Sequence, residues 1–394
     1  MAIKQKICVV TGTRAEYGLL KVLIKLVDLS DDFDLQLIVT GSHLSLKHGN
    51  TQDEIIADGF RIDQRIDLNL DSDSSSSISN STAIAINGFS TAFKNLKSDL
   101  VVVLGDRYEI LGCAIAAMFA GIPLAHIHGG ELTEGAMDDA IRHAVTKLSH
   151  IHFVANEVYA SRVMQLGEDP RYVFNVGGLG IDAIKNLALH NRKTIEKKLS
   201  FKFKKHNLLI TFHPVTLERF SSKNHMSELF SALDDLHNTL LIFTMPNADM
   251  DSVDIMSMIE QYTAKKENAI AFTSLGQLMY LSVVDQVDLV IGNSSSGIIE
   301  VPSFLKPTID IGSRQKGRLK ASSIISCDPK KQDILDAVHH AYSASFQQSL
   351  AKIQNPYGNG GAAKKIFSQL QKIKFKPLLA KKFFDIRAQD YLQE

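Results

Sequence analysis

The chain has 394 residues, with 43 Lys plus Arg against 43 Asp plus Glu, and only three cysteines. This length exceeds one typical hydrophobic core and predicts two domains, and the neutral balance without a basic stripe argues against nucleic acid as the main partner. Widely spaced cysteines, no signal peptide before the first strand and no apolar run of about 18 residues predict a cytoplasmic protein without disulfides or a membrane span.

Short apolar runs alternate with helix-period segments along the chain. Strands are predicted at residues 6–10, 35–39, 100–104, 123–127, 151–154 and 173–176, and then at 208–212, 239–243, 269–272, 287–291 and 308–311. Helices are predicted between them at residues 19–28, 83–97, 110–120 and 226–236, among others. Strands that are apolar on both faces and alternate with helices predict parallel sheets covered on both sides.

The predicted fold class is α/β, with two Rossmann-like, doubly wound parallel-sheet domains and an active-site cleft between them. A Lys-rich pause at residues 187–205 marks the boundary, so residues 1–190 form the first domain and 191–364 the second. The basic, aromatic-bearing tail, about residues 365–394, is expected to return to the first domain across the cleft. The serine-rich stretch 71–81 is predicted as a surface loop that runs into a helix cap, or as a lid.

Residues 292–300, Gly-Asn-Ser-Ser-Ser-Gly-Ile-Ile-Glu, carry the strongest chemical signal. They follow a buried-strand pattern and lead into residues 297–304, which can start a helix. Free backbone N–H groups, small residues and hydroxyls at such a point suit a phosphate, and Glu300 can accept two hydrogen bonds from a ribose diol. The stretch therefore predicts a nucleotide site, with an ordinary Ser or Asn helix cap as the alternative.

Two strand ends of the first domain carry charged groups. Residues 11–18 form a turn without the G-x-G-x-x-G spacing, which disfavours a nicotinamide or flavin site. Arg14 in this turn can fork onto a phosphate, or it is simply solvated. Asp106 follows the strand at 100–104, a place where an Asp is more often functional than structural; a structural salt bridge with Arg107 is the alternative.

Residues 126–131, His-Ile-His-Gly-Gly-Glu, and residues 138–143 concentrate titratable groups after the next strand. An acid/base site is the favoured interpretation, because His titrates near neutrality and neighbouring carboxylates can be tuned. A metal site is weaker: His126 and His128 would share one face of the strand, yet no further ligand completes a set. Satisfied core polar groups are the third interpretation.

Three strand ends of the second domain carry further polar groups. His213 ends the first strand, Asn247 follows the second and Arg314 follows the last. His213 and Arg314 are predicted as two more cations that face the same cleft as residues 292–300. Five strand ends with phosphate-compatible groups favour a nucleotide site over coincidence.

Together these stretches resemble the UDP-N-acetylglucosamine 2-epimerase family, most closely its hydrolysing bacterial branch, which makes N-acetylmannosamine for sialic acid synthesis. The resemblance covers nearly the whole chain and is carried by residues 11–18, 104–109, 126–131, 138–147, 212–216, 292–302, 312–318 and 355–358. It implies the GT-B architecture, with UDP bound mainly by the second domain. It also implies that no cofactor or metal is needed and that the chain forms a homo-oligomer, a dimer or tetramer.

The resemblance also implies roles for individual residues. UDP-sugar binding falls to Arg14, Asn247, Ser294, Ser295, Gly297, Glu300 and Arg314, and catalysis to Asp106, His128, Glu131, Asp138 and His213. The two serines would hold the diphosphate and Glu300 the ribose, while Arg14, His213 and Arg314 would neutralise diphosphate charge. Some members carry Glu at the position of His128, so the group that removes the sugar C2 proton stays open.

The implied reaction releases UDP from C1 and a proton from C2 to give a glycal, to which water then adds to form the 2-epimer. UDP-N-acetylglucosamine is the predicted substrate. UDP-2,4-diacetamido-2,4,6-trideoxyglucose, on the legionaminic acid route, is the main alternative. A non-hydrolysing epimerase, a GT-B glycosyltransferase and a non-catalytic nucleotide-sugar binder are weaker alternatives, and a serine hydrolase is disfavoured because residues 292–297 lack the G-x-S-x-G spacing.

Overall fold

The computed structural model of the chain describes residues 4–46, 49–70, 72, 74–133, 137–214, 221–246 and 252–386; for residues 183, 186 and 221 only the backbone is described. The chain divides into two compact units. The first consists of Met1–Glu131, Asp138–Ala183 and Gly360–Glu394, and the second of Leu132–Met137 and Ile184–Asn359.

Each unit contains one parallel sheet, of seven and six described strands respectively. The strands of the first unit are β1 Gln5–Thr11, β2 Phe33–Thr40, β3 Gln64–Ile66, β4 Leu100–Leu104, β5 Leu124–Ile127, β6 Ile151–Val154 and β7 Val173–Asn175. Those of the second are β8 His206–Thr211, β9 Thr239–Thr244, β10 Ala269–Phe272, β11 Leu289–Gly292, β12 Thr308–Ile311 and β13 Ile324–Cys327. Central strands are buried along their length, as expected for a sheet covered on both faces.

The strand orders are β3-β2-β1-β4-β5-β6-β7 and β10-β9-β8-β11-β12-β13. Both follow the order of the doubly wound Rossmann fold, in which the chain builds one half of the sheet outward and then returns to build the other half. In the first unit the direction changes between β1 and β4, which pair at Ile7 with Leu100. In the second it changes between β8 and β11, which pair at Leu208 with Leu289.

Helices connect the strands. Those of the described residues are α1 Arg14–Asp28, α2 Gln52–Ala57, α3 Ser75–Leu96, α4 Tyr108–Ala120, α5 Met137–Leu148, α6 Glu157–Gln165, α7 Leu179–Asn186, α8 Arg192–Leu199, α9 Ser221–Asp234, α10 Ser252–Thr263, α11 Gly276–Gln286, α12 Ser295–Ile299, α13 Lys331–Tyr342, α14 Ala344–Ser349 and α15 Ala362–Leu370. Short 3-10 helices cover Gly41–Leu44, Pro170–Tyr172, Val301–Phe304, Leu350–Lys352 and Lys376–Leu379. Within the described ranges, no helix combines the length and apolar character that a membrane span requires.

The predicted α/β class is confirmed, and all eleven predicted strands are present with small shifts of their ends. The sequence analysis missed β3 and β13. Both are short strands at sheet edges, and neither carries the continuous apolar run of a central strand. Each predicted helix starts too late, because the first turn is polar: Thr13 caps α1 by accepting a hydrogen bond from the Glu16 N–H at 3.2 Å.

The structure revises the prediction for the serine-rich stretch 71–81 and adds detail to the prediction for the C-terminal tail. The serine-rich stretch is mainly helical, because Ser74 caps α3 and accepts from the Ser77 N–H, so residues 75–81 are not a loop. Asp71 and Asp73 lie outside the described residues. The tail belongs to the first unit, where α15 packs on α1 and buries Ile366 in the main core.

Candidate active site

The candidate residues of each unit follow the strands that flank the change in strand order. Ligands of open α/β sheets bind outside the carboxyl ends of these strands, at the switch point. In the first unit Arg14 follows β1 and Asp106 follows β4, and in the second His213 follows β8 and Ser294 follows β11. Each unit therefore brings its own candidate residues to its own switch point.

Asp106 forms an ion pair with Arg142, a residue of α5 whose side chain is 1% exposed. The same guanidinium donates from Nη1 to the carbonyl oxygen of Glu131 at 2.8 Å and lies 3.5 Å from Asp139 Oδ1. Burial works against the charge, but Asp106 and Glu131 outweigh it, so the pKa of Arg142 is raised. One buried cation therefore connects the turn after β4 with the segment after β5.

Arg107 forms an ion pair with a buried carboxylate, Glu109. Its Nε donates to Oε1 of Glu109 at 2.7 Å, and the Glu109 side chain is 1% exposed. Close by, Glu16 accepts from the Gly12 N–H at 2.7 Å. Burial, followed by the charge of Glu109, raises the pKa of Glu16 to about 8. Two buried carboxyl groups thus support the turns that carry Arg14 and Asp106.

His126 is a core residue, and the shared-face metal site is wrong. Its Nε2 lies 2.7 Å from the Gly105 carbonyl oxygen and its Nδ1 lies 3.1 Å from Thr146 Oγ1. Burial lowers its pKa to about 3, so the ring is neutral. β5 ends at Ile127, and His128 lies beyond the strand with a different backbone conformation. The two imidazole rings therefore do not share one face of a strand. No set of three or more ligating His, Cys, Asp or Glu side chains occurs among the described residues.

His128 and Glu131 lie next to each other in the segment after β5. His128 has a left-handed backbone, with φ of 67°, which is uncommon for a residue other than glycine. Its Nε2 accepts from the Leu179 N–H at 3.4 Å, so the neutral ring carries its proton on Nδ1. That nitrogen lies 3.4 Å from Glu131 Oε1. Both side chains are largely buried, and Oε1 of Glu131 accepts no hydrogen bond from Nδ1 at this distance.

Asp138 and Arg14 occupy helix starts in the first unit. Asp138 lies with Asp139 in the first turn of α5, where a carboxylate interacts favourably with the helix dipole. Arg14 begins α1, its side chain is 33% exposed, and its Nη1 lies 3.6 Å from Glu54 Oε1. Both residues are thus held by helices that follow the sheet.

Asn293 fixes the turn after β11 against the turn after β8. Its amide accepts from the His213 N–H at 2.7 Å and donates to the His213 carbonyl oxygen at 2.8 Å. Before it, Gly292 has φ of 140°, and a Cβ there would lie 1.8 Å from the Thr211 carbonyl oxygen. Only glycine allows the two strands to approach this closely.

The charge of His213 differs from the sequence-based expectation, whereas Arg314 remains a cation as expected. Burial, followed by the charge of Arg314, lowers the pKa of His213 well below its ordinary value, so the ring is neutral rather than a standing cation. Arg314 donates from Nη1 to the Asn293 carbonyl oxygen at 3.0 Å, and Gln315 donates to the same oxygen at 2.8 Å. Arg314 is therefore a cation that remains at this switch point.

Residues 294–304 form a shorter helix than the sequence suggests. Ser294 is the N-cap of α12, which contains Ser295 and Gly297 and ends at Ile299; a 3-10 turn follows. A helix of five residues has a weak dipole, so hydroxyls and Arg314 matter more for an anion here. Gly297 packs its Cα against Thr308, whose hydroxyl donates to the Gly297 carbonyl oxygen at 2.8 Å.

Residues 355–358 form hydrogen bonds that hold α12 and the 3-10 turn after it. The Asn355 side-chain amide donates to the Ile299 carbonyl oxygen and to Ser303 Oγ, both at 2.8 Å. Tyr357 is fully buried and donates to the Leu319 carbonyl oxygen at 3.2 Å. Asn247, predicted to line the nucleotide pocket, lies outside the described residues.

Sequence reasoning did not assign a role to Arg142, Glu16 or Glu109. A signal for Arg142 was available, because Val145 and Thr146 place it on the buried face of α5, where an arginine needs a charged partner. No sequence spacing identifies Glu16 and Glu109 as neighbours, since they come from different βα units.

Comparison with known proteins gives a consistent result. A family model described as UDP-N-acetylglucosamine 2-epimerase matches residues 26–371. The GDP/UDP-N,N'-diacetylbacillosamine 2-epimerase (hydrolyzing) of Campylobacter jejuni subsp. jejuni serotype O:2 is 43% identical over 97% of this chain and 100% of its own length. The polysialic acid biosynthesis protein P7 of Escherichia coli is 39% identical over 97% and 98%. The crystal structure of UDP-GlcNAc 2-epimerase from Neisseria meningitidis bound to UDP-GlcNAc has a TM-score of 0.81 at 20% identity, over 94% of this chain and 100% of that one.

Two doubly wound units with charged side chains at their switch points define an α/β enzyme of the GT-B-like fold class. The family match spans most of the chain, and the two relatives align along nearly their whole lengths. The chain belongs to the UDP-N-acetylglucosamine 2-epimerase family. It is a hydrolysing UDP-sugar 2-epimerase, which confirms the class of enzyme predicted from the sequence.

Proposed function

We propose that this enzyme hydrolyses and epimerises UDP-2,4-diacetamido-2,4,6-trideoxyglucose, the sugar nucleotide also called UDP-N,N'-diacetylbacillosamine. The observation that carries this proposal is the 43% identity, over 97% of this chain, to a relative named for the GDP- or UDP-linked form of that sugar. This sugar was the alternative in the sequence analysis. The reaction would supply a free 2,4-diacetamido-2,4,6-trideoxyhexose for nonulosonic acid synthesis.

The second candidate is UDP-N-acetylglucosamine, with N-acetylmannosamine and UDP as products on the sialic acid route. It is favoured by the 39% identity to a polysialic acid biosynthesis protein, again over nearly the full length. The two substrates share UDP and the 2-acetamido group and differ at C4 and C6. The residues discussed below act on the shared part, so they serve either candidate.

The first chemical step is an elimination. The C1–O bond breaks with both electrons leaving on UDP, while an enzyme base removes the C2 proton and a C1=C2 double bond forms. The positive charge that develops at C1 makes the C2 proton easier to remove. Arg314 and Arg14 are assigned to the negative charge of the departing diphosphate, with hydrogen bonds from Ser294 and Ser295.

The second step adds water across the double bond, with a proton delivered to C2 from the opposite face and the hydroxyl group to C1. The site therefore needs one group that accepts a proton and one that donates it. His128 with Glu131 suits such an exchange because Nδ1 lies 3.4 Å from Oε1. Asp106, held by Arg142, and Asp138 are the remaining acids assigned to catalysis, and His213 is assigned to the neighbourhood of the diphosphate.

The decisive experiment offers each UDP-sugar separately to the enzyme in deuterated water and follows the products by NMR. We expect UDP release, a free 2-epimer with deuterium at C2, and a kcat/KM at least tenfold higher for the diacetamido sugar. A reversed preference would establish the second candidate instead. UDP release without deuterium at C2, or no turnover of either sugar, would exclude hydrolytic 2-epimerisation.

Asp106→Asn separates catalysis from nucleotide binding. We expect turnover to be abolished while the Kd for UDP, measured by calorimetry, changes little, because Asp106 is assigned to the sugar rather than to UDP. A large loss of UDP affinity would make Asp106 a nucleotide ligand. The homo-oligomer expected from the family resemblance is checked separately by light scattering.

A further inference from the structure

A chain of hydroxyl groups stands behind Glu300 in the second unit. Tyr280, in the middle of α11, donates its phenolic proton to Ser296 Oγ at 3.0 Å. Ser296, in α12, donates in turn to Oε2 of Glu300. Glu300 is also tied through its backbone, since its N–H donates to the Ser296 carbonyl oxygen at 2.9 Å.

The proton direction along this chain is fixed by the groups it contains. An ionised carboxylate only accepts hydrogen bonds, so the single hydroxyl proton of Ser296 must point to Glu300. Ser296 Oγ can then receive the phenolic proton of Tyr280. Each hydrogen bond polarises the next, so the donation from Tyr280 makes Ser296 a stronger donor to Glu300.

The two oxygens of the Glu300 carboxylate are treated differently. Oε2 is occupied by Ser296, whereas Oε1 receives no hydrogen bond from any residue in the described part of the chain. Burial raises the pKa of Glu300, and the donation from Ser296 opposes that rise. A half-buried carboxylate with one oxygen already bound presents the other in a fixed orientation.

We infer that Tyr280 and Ser296 are positioning residues for the ribose of the UDP moiety. They orient Glu300 so that Oε1 accepts a hydrogen bond from a ribose hydroxyl. This inference rests on the proposed function, in which Glu300 binds the ribose. Neither Tyr280 nor Ser296 needs to touch the ligand for this purpose.

The test measures the Kd of UDP and of 2′-deoxy-UDP by calorimetry for the wild-type enzyme, Tyr280→Phe, Ser296→Ala, the double variant and Glu300→Gln. Ser296→Ala removes a hydrogen bond to a charged group, and we expect UDP to bind roughly ten- to hundredfold more weakly. Tyr280→Phe removes a neutral bond one step further away, and we expect a loss of roughly three- to tenfold. The preference for UDP over 2′-deoxy-UDP should fall in both variants.

The double variant carries the sharpest expectation. Because Tyr280 acts through Ser296, adding Tyr280→Phe to Ser296→Ala should change the Kd for UDP by less than twofold. Tyr262→Phe is the matched control, since its hydroxyl donates to Asp234 at 2.7 Å elsewhere in the same unit, and it should bind UDP like the wild type. Thermal melting of every variant separates a loss of binding from a loss of folding.

The outcomes distinguish failure of this inference from failure of the ribose assignment. If Glu300→Gln keeps wild-type affinity and the wild-type preference for UDP, Glu300 does not bind the ribose and the assignment itself falls. If Glu300→Gln loses that preference while both hydroxyl variants retain it, only the positioning chain is refuted. Additive losses in the double variant would likewise refute action through Ser296.

Discussion

Arg142→Lys tests whether one buried cation organises the candidate catalytic groups of the first unit. Arg142 bonds Asp106 through Nη2 and the Glu131 carbonyl oxygen through Nη1, at 2.8 Å. Lysine keeps the positive charge but offers a single ammonium group in place of the planar fork. It can therefore replace one of these two contacts but not both in the same geometry.

The structure sets the size of the effect. Losing one hydrogen bond that involves a charged group, at a side chain 1% exposed, costs roughly 1.5–3 kcal/mol. At about 2–4 °C per kcal/mol for a domain of this size, the first unit should melt about 3–12 °C lower. A displacement of Asp106 or Glu131 by about 1 Å should lower kcat roughly 100-fold.

The assay combines thermal unfolding with turnover in deuterated water. Arg171→Lys is the matched control, because Arg171 forks onto Asp169 at the surface with its side chain 78% exposed, and it should leave melting and kcat unchanged. Wild-type melting and kcat for Arg142→Lys would refute the reasoning altogether. Lower stability with an unchanged kcat would show that Arg142 is structural and does not position catalytic groups.

Three further substitutions test separate features. Asp182→Ala removes a carboxylate that accepts hydrogen bonds from the first backbone N–H groups of α15. We expect a lower melting temperature and faster tryptic release of the tail. An unchanged rate of tryptic cleavage would contradict this expectation. Gly292→Ala places a Cβ 1.8 Å from the Thr211 carbonyl oxygen, and we expect circular dichroism to show that the second unit is unfolded. Gly59→Ala is the control, because Gly59 has φ of 89° but open space around it, and this variant should stay folded. Burial raises the pKa of Glu16 to about 8 from 4.5, so the wild type loses stability as pH rises through that window. Glu16→Gln should therefore gain melting temperature relative to the wild type between pH 5 and 8, and a constant difference would refute it.

The central strands could be predicted because burial on both faces demands a continuous apolar run, and β4, Leu-Val-Val-Val-Leu, shows that demand directly. β3 could not be predicted, since it has three residues, Gln-Arg-Ile, and only the last is buried. The helix at residues 75–81 was missed because serine is typical of loops. There the hydroxyl of Ser74 caps α3 and the following serines take helical positions.

The candidate site shows the same limit. Asp106 was a candidate because it follows a buried strand, but its partner Arg142 lies 36 residues further along and meets it only in the folded sheet. His126 and His128 belong to one sequence motif, and the sequence gives no reason to assign them different roles. The structure separates them, because His126 remains in β5 with both ring nitrogens engaged, whereas His128 turns away at φ of 67°.

That separation bears on the proton chemistry of the proposed reaction. Elimination and hydration need two groups in opposite protonation states, one to take the C2 proton and one to return a proton to the other face. Asp106 is charged in its ion pair with Arg142, which is the form that can accept a proton, whereas neutral His128 keeps a proton on Nδ1 beside Glu131. Arg142 binds both Asp106 and the Glu131 backbone, so one guanidinium group connects the segments that carry these candidates. We therefore propose Asp106 and the His128–Glu131 pair as the groups that exchange these protons, and the residue types alone do not indicate their protonation states.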